Sequence, residues 1–315
     1  MDHGVPSAEG AVAGPGGPAG GFAGSAGLGA AFRADRVPLA VTALLFVALF
    51  GSVFYELSKD WWSSPEAGHG LLLAPVSIWM AWKRGIRADA RPNHVLGFIV
   101  ILMAVVIRCA AGLAAELFTM RGSMIMALAG LTIYHFGLRQ VFFWWLPFSL
   151  ASLSVPLPEI VTQALALPLQ FRASKMGATL LQWRDVPILL TGNVIRLPGH
   201  ELFVTEACSG LRSLTALLSV GVLMSAMLLQ TIVGRVTLVF LAIPIAIAVN
   251  GIRVFMTGFL VYFVSPEFGK GFMHMTEGWL LFLVSLGALG FFAWVAGVAE
   301  RRALRWKTST EPANA

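Results

Sequence analysis

The chain has 315 residues, of which 57% are hydrophobic and only 12% charged. Soluble domains carry roughly 25% charged residues, so this chain cannot cover its own surface with polar groups in water, and a soluble globular protein is excluded. The formal charge of +6 does not mark a nucleic-acid binder, because the basic residues sit in short runs beside apolar spans, as topology signals and contacts to anionic lipid do.

Residues 1–35 are dominated by Gly and Ala and cannot bury enough apolar surface to offset the entropy of ordering. They read as a disordered cytoplasmic tail, without the basic start and continuous apolar stretch of a signal peptide. A transmembrane domain follows over 36–300. At about 20 residues per crossing it contains eight apolar spans, at 38–57, 70–82, 95–115, 123–138, 141–155, 209–229, 236–264 and 275–298. The second is short. Ten Trp suit the headgroup boundary, where an amphipathic ring is most stable.

Between the fifth and sixth spans lies the loop 156–207. Residues 159–183 read as an amphipathic helix along the membrane surface. The runs Ile188-Leu189-Leu190 and Asn193-Val194-Ile195-Arg196-Leu197 flank Thr191-Gly192 as a hairpin would. A further strand-like run over 202–205 leads into Glu206-Ala207-Cys208. The chain closes on a basic cytoplasmic tail, 301–315. The predicted fold class is therefore an all-α polytopic membrane protein with about eight transmembrane helices and a small loop subdomain of one amphipathic helix and a short β element.

Lys83, Arg84, Arg87, Arg91, Arg139, Arg235 and the cluster at Arg301 fall on the same side as the N-terminus. The positive-inside rule places that side in the cytoplasm, so both termini are expected inside and the long loop outside.

Two cysteines make neither a disulfide framework nor a metal site. Cys109 lies inside an apolar run and reads as a small buried hydrophobe. Cys208 stands at the mouth of the sixth span, where a helix dipole lowers a thiol pKa, and Arg212 one turn on adds to that effect. Arg253 lies within the seventh span, at a cost of about 2.5–3.5 kcal/mol on insertion scales, which makes it a functional candidate. Counting roughly 1.5 Å per residue from 236 puts it near the outer leaflet, beside a helix break offered by Asn250-Gly251. His274 opens the eighth span at the same boundary, and a histidine there can exchange a proton with a thiol near neutral pH. Each has an ordinary alternative: a solvated His, a snorkelling Arg, a Cys that fills space. The three together would supply nucleophile, acid/base and oxyanion stabiliser. His69-Gly70 falls at the same face and can line the same pocket, whereas His94 and His135 on the inner side and His200 in the β element read as incidental.

The block Glu206-Ala207-Cys208-Ser209-Gly210-Leu211-Arg212-Ser213, the run Asn250-Gly251-Ile252-Arg253-Val254, and His274 with Glu277-Gly278-Trp279 resemble, in that order, the cysteine, arginine and histidine motifs of the exosortase/archaeosortase family. The resemblance implies a bacterial inner-membrane cysteine peptidase or transpeptidase. It would process membrane-anchored proteins with a PEP-CTERM-type C-terminal sorting signal, in settings tied to exopolysaccharide assembly. It implies Cys208, Arg253 and His274 as the catalytic set, with Asn250, Glu206, Arg212, His69 and Glu277 as supporting or substrate-binding candidates. No metal or cofactor is implied, and the partners are protein substrates and the lipid bilayer. The alternative is a transporter or a non-catalytic scaffold for polysaccharide export, since broken helices with central polar residues also build transport sites.

Overall fold

The structure is a computed structural model that describes residues 36–64, 67–204, 210–266 and 271–310, with backbone alone for 36, 271–277 and 304–310. The expected tail 1–35 lies outside the described residues. Among those residues the chain forms ten helices and one three-stranded sheet. In order these are α1 (Arg36–Ser63), α2 (Gly70–Arg84), α3 (His94–Leu113), α4 (Leu117–Phe136), α5 (Leu138–Phe143), α6 (Trp145–Leu153) and α7 (Glu159–Gln182). Strands β1 (Leu189–Thr191), β2 (Val194–Leu197) and β3 (His200–Phe203) come next, followed by α8 (Leu211–Leu228), α9 (Ile232–Phe263) and α10 (Gly271–Thr310).

Six of these helices are long and apolar enough to cross a membrane: Val37–Ser63, His94–Leu113, Leu117–Phe136, Leu211–Leu228, Ile232–Phe263 and Gly278–Ala303. The molecule is thus an all-α multi-pass membrane protein. The second and fifth expected spans are shorter than a crossing. α2 has 15 residues, about 22 Å of helix. The fifth divides at Trp144 into six-residue α5 and nine-residue α6. The bend is pinned by side chains, because the Gly85 carbonyl accepts from both Gln140 Nε2 (3.1 Å) and Trp144 Nε1 (3.0 Å). α2 and α6 then pair side by side, with Leu73, Leu146 and Leu150 buried against Val222 and Leu223 of α8. Ser77 Oγ donates to the Pro147 carbonyl across that pair.

Three of the remaining helices start on side-chain caps. Asn93 Oδ1 accepts from Leu96 N at the start of α3, the Glu116 carboxylate accepts from Phe118 N and Thr119 N at the start of α4, and Thr231 Oγ1 accepts from Gly234 N in α9. α10 runs through the basic cluster to Thr310. Cys109 is exposed on the flank of α3. The expectation of burial fails there because the buried stripe of α3 is Gly97, Ala104 and Ala111, and Cys109 lies off it.

The sheet has order β1-β2-β3, antiparallel, with Thr191 opposite Val194 and Leu197 opposite His200. Both hairpins therefore turn on two residues, Gly192-Asn193 and Pro198-Gly199, one residue later in the first case than the sequence led us to expect. Asn193 Nδ2 donates to Gln170 Oε1 and to the Val204 carbonyl, tying the sheet to α7. Val186, Ile195, Leu197 and Val204 pack with Ala173, Ala178 and Leu181 of α7 and with Val254 and Val261 of α9. The C-terminal half of α7 is thus seated on α9, while along residues 159–168 Ala166 alone is buried. This end of the bundle, the sheet end, gathers the C-termini of α1, α6 and α9 and the start of α8.

Candidate functional site

Three predicted motifs converge at the sheet end. α8 begins at Leu211 with Gly210 as its N-cap, three and two positions after Cys208 in the sequence. Gly210 adopts φ +75°, and a Cβ there would lie 2.6 Å from Asn250 Cγ. Only glycine meets both demands, the left-handed backbone and the close approach. Gly210, two positions after Cys208 in the sequence, is thereby held against α9 at Asn250, which is 6% exposed.

One turn further along α9, the half-buried Arg253 reaches α10. A Cβ at Gly278 would lie 3.0 Å from Arg253 Nη2, so the absent side chain leaves room for the guanidinium. His274 is four residues earlier on α10, one turn nearer the helix start. Glu206 and Cys208 lie outside the described residues, as do the side chains of His274 and Glu277.

On another side of the first turn of α8 lies a cavity of about 210 Å³, lined by His69, Arg212, Asp60, Thr215, Ser219 and Thr162 among others. Here the structure brings His69 and Arg212 together, in a cavity apart from Arg253, whereas the sequence reading has His69 lining the same pocket. Arg212 faces this cavity and is exposed; Asn250 and Arg253 are not among its lining residues. His69 Nε2 lies 3.1 Å from the Leu153 carbonyl. A carbonyl can only accept, so Nε2 carries the proton in that contact. Gly70 lets the Trp61 indole lie flat against the first turn of α2, and Trp61 Nε1 donates to the Ser154 carbonyl at 2.8 Å. Both halves of the His69-Gly70 pair are therefore fastened to the end of α6.

Two charged features escaped the sequence reading. Arg121 is 5% exposed and donates Nη2 to Asp60 Oδ2 at 2.5 Å, so Asp60, which lines the cavity, is paired with a buried cation. In the sequence Arg121 sits at the edge of an apolar run and passes for a loop residue. Arg108 lies inside α3, where its Nε donates to the Leu49 carbonyl of α1 at 2.7 Å and its guanidinium lies 5.9 Å from the Phe50 ring centre. The rule that marked Arg253, an ionisable group within an apolar span, marks Arg108 as well.

Neither a search of curated proteins nor a search of solved structures finds a match. The family model described as Transmembrane exosortase (Exosortase_EpsH) matches residues 61–291, from Trp61 near the end of α1 into α10. That span takes in all three motifs and covers most of the chain. The protein belongs to the transmembrane exosortase family.

Proposed function

We propose that this protein is a membrane-embedded cysteine peptidase or transpeptidase that cleaves C-terminal sorting signals of the PEP-CTERM type. The observation that carries this reading is the double contact of the motif neighbours: Gly210 against Asn250, and Arg253 against Gly278. Residues two positions after Cys208, at Arg253 itself, and four positions after His274 belong to one cluster at the end of the bundle. A transporter would place its polar groups near the midplane, between paired repeats.

In the proposed reaction His274 takes the proton of the Cys208 thiol. The thiolate attacks the scissile carbonyl, forming a C–S bond, while Arg253 stabilises the oxyanion. The C–N bond breaks as protonated His274 returns the proton to the leaving amine. The thioester then passes to an amine acceptor or to water, and the thiol is regenerated. Positive-inside topology puts this chemistry at the periplasmic face of the inner membrane with both termini cytoplasmic.

The test is processing of a reporter carrying a PEP-CTERM-type signal in cells, with wild type, Cys208→Ala and Cys208→Ser at matched membrane abundance. Wild type is expected to shorten the reporter and both variants to leave it full-length. Shortening by either variant at the wild-type rate would remove Cys208 as nucleophile.

A further inference from the structure

At the end of the bundle opposite the sheet, two arginines share one aromatic ring. Arg84 closes α2 and Arg235 lies in the first turn of α9. Their guanidinium carbons stand 5.9 and 5.8 Å from the ring centre of Trp145, the first residue of α6. Each is held by a carbonyl at the C-terminal end of a helix. Arg84 Nη1 donates to Phe143 O at 2.8 Å, at the end of α5, and Arg235 Nε donates to Leu229 O at 3.0 Å, at the end of α8. A helix C-terminus attracts a cation, so either arginine alone has a structural explanation. That explanation does not account for two like charges on one indole.

Neither arginine forms an ion pair with a carboxylate among the described residues. The acids nearby make their close contacts elsewhere, and Glu300 acts on Arg235 only through space. Asp89 takes Arg87 and Arg139, and the Glu300 carboxylate accepts from Gln230 N and Thr231 Oγ1. A guanidinium has five N–H donors, and each of these two spends one on its carbonyl. Burial first, and the charge of Arg235 second, lower the Arg84 pKa, which disfavours its charged form. The site is also built rigidly. The turn that follows Arg84 is bolted by Gln140 and Trp144 to the Gly85 carbonyl, and Gln140 is fully buried. An anion between the arginines would relieve the repulsion and use the remaining donors.

The setting selects the anion. Trp79, with Lys83 stacked 4.9 Å above it, and Trp144 beside Trp145 make this stretch an aromatic belt at the edge of the spans. Phosphodiester groups lie at that depth in a bilayer, and basic clefts between helices hold them. We propose that Arg84, Arg235 and Trp145 form a binding site for the phosphate of an anionic phospholipid headgroup, seated where α2, α6 and the α8–α9 turn meet.

The experiment uses the full chain released from phosphatidylcholine vesicles doped with phosphatidylglycerol, with retained lipid counted by native mass spectrometry. Wild type is expected to keep a phosphatidylglycerol in preference to phosphatidylcholine. In Arg84→Gln/Arg235→Gln the preference should fall roughly thirtyfold, the factor that two interfacial cations carry. Arg139→Gln, which removes an exposed cation paired with Asp89 at the same end, should leave it unchanged. Should the double Gln variant not fold, Arg84→Lys/Arg235→Lys keeps the charge but loses the planar fork, and the preference should drop severalfold. Equal retention of the two lipids by wild type, or wild-type preference in either double variant, overturns the proposal. Inorganic phosphate supplies the other arm. Displacement of the lipid by millimolar phosphate would assign the site to soluble phosphate compounds and overturn the lipid source, whereas indifference to phosphate supports it.

Discussion

Two helix seams in this molecule use the same device to different ends. Between α3 and α4, Gly97 lies so close to the backbone of Tyr134 that a Cβ would stand 2.5 Å from its Cα. Between α7 and α9, Gly177 meets Val254, Gly251 meets Met176 and Gly258 meets Leu181, with the added Cβ atoms falling 2.5 to 2.8 Å from the partner side chain. Small residues let two backbones approach, and in lipid that close packing replaces the hydrophobic drive. The buried face of α3 holds nothing but Gly97, Ala104 and Ala111, so that seam is scaffold. The α9 seam sets Asn250 and Arg253 around its glycines, and both look toward other elements. Close packing makes a seam rigid; polar residues placed within it decide whether rigidity serves a site.

The sharpest way to break this contrast is Arg253→Gln. Loss of an oxyanion donor costs about 10²–10³ in rate, so signal cleavage in proteoliposomes should fall by that factor at matched amounts of folded protein. Cleavage at the wild-type rate would reduce the α9 seam to scaffold like its counterpart. Gly97→Ala comes next. Its new methyl meets the Tyr134 backbone, which cannot swing aside, and overpacking of this kind costs about 1–3 kcal/mol. Chemical denaturation should show that loss while cleavage per folded molecule stays constant.

Gly177→Ala should mix the two signatures. The methyl presses on Val254 and approaches Phe255 N at 3.1 Å, immediately beyond Arg253. We expect about 1 kcal/mol of lost stability together with reduced cleavage per folded molecule, because sub-ångström displacement of a positioned group slows chemistry. A stability loss with unchanged cleavage would show that Arg253 is placed independently of α7. The smallest effect belongs to the exposed loop after α2. Hydrogen bonding from Arg87 lowers the Asp89 pKa from 3.8 to about 2. A carboxylate depressed on folding contributes stability above its unfolded pKa and loses it as pH falls, here between about 4 and 2. Asp89→Asn should therefore flatten the acid limb of the unfolding curve in that window and change little at neutral pH.

The membrane class, the long spans and the order of the three motifs were legible in the sequence. Apolar run length and the position of a charge within it are properties of consecutive residues, and lipid acts on them one segment at a time. The α7 helix, the first hairpin turn and the run that forms β3 were legible for the same reason, to within a residue or two. What only the tertiary structure decided are the relations between faces. The fifth span bends at Trp144 because Gly85, distant in sequence, offers a carbonyl there. Arg121 is a buried partner of Asp60 instead of a loop charge because α1 and α4 meet. Arg212 turns to the His69 cavity, away from Arg253, because Gly210 fixes the rotation of α8 against Asn250. Arg84 and Arg235 come to share Trp145 because three helix ends converge on it. Hydropathy carries no record of which faces pack together, since that depends on side-chain volumes and hydrogen bonds between segments far apart in the chain.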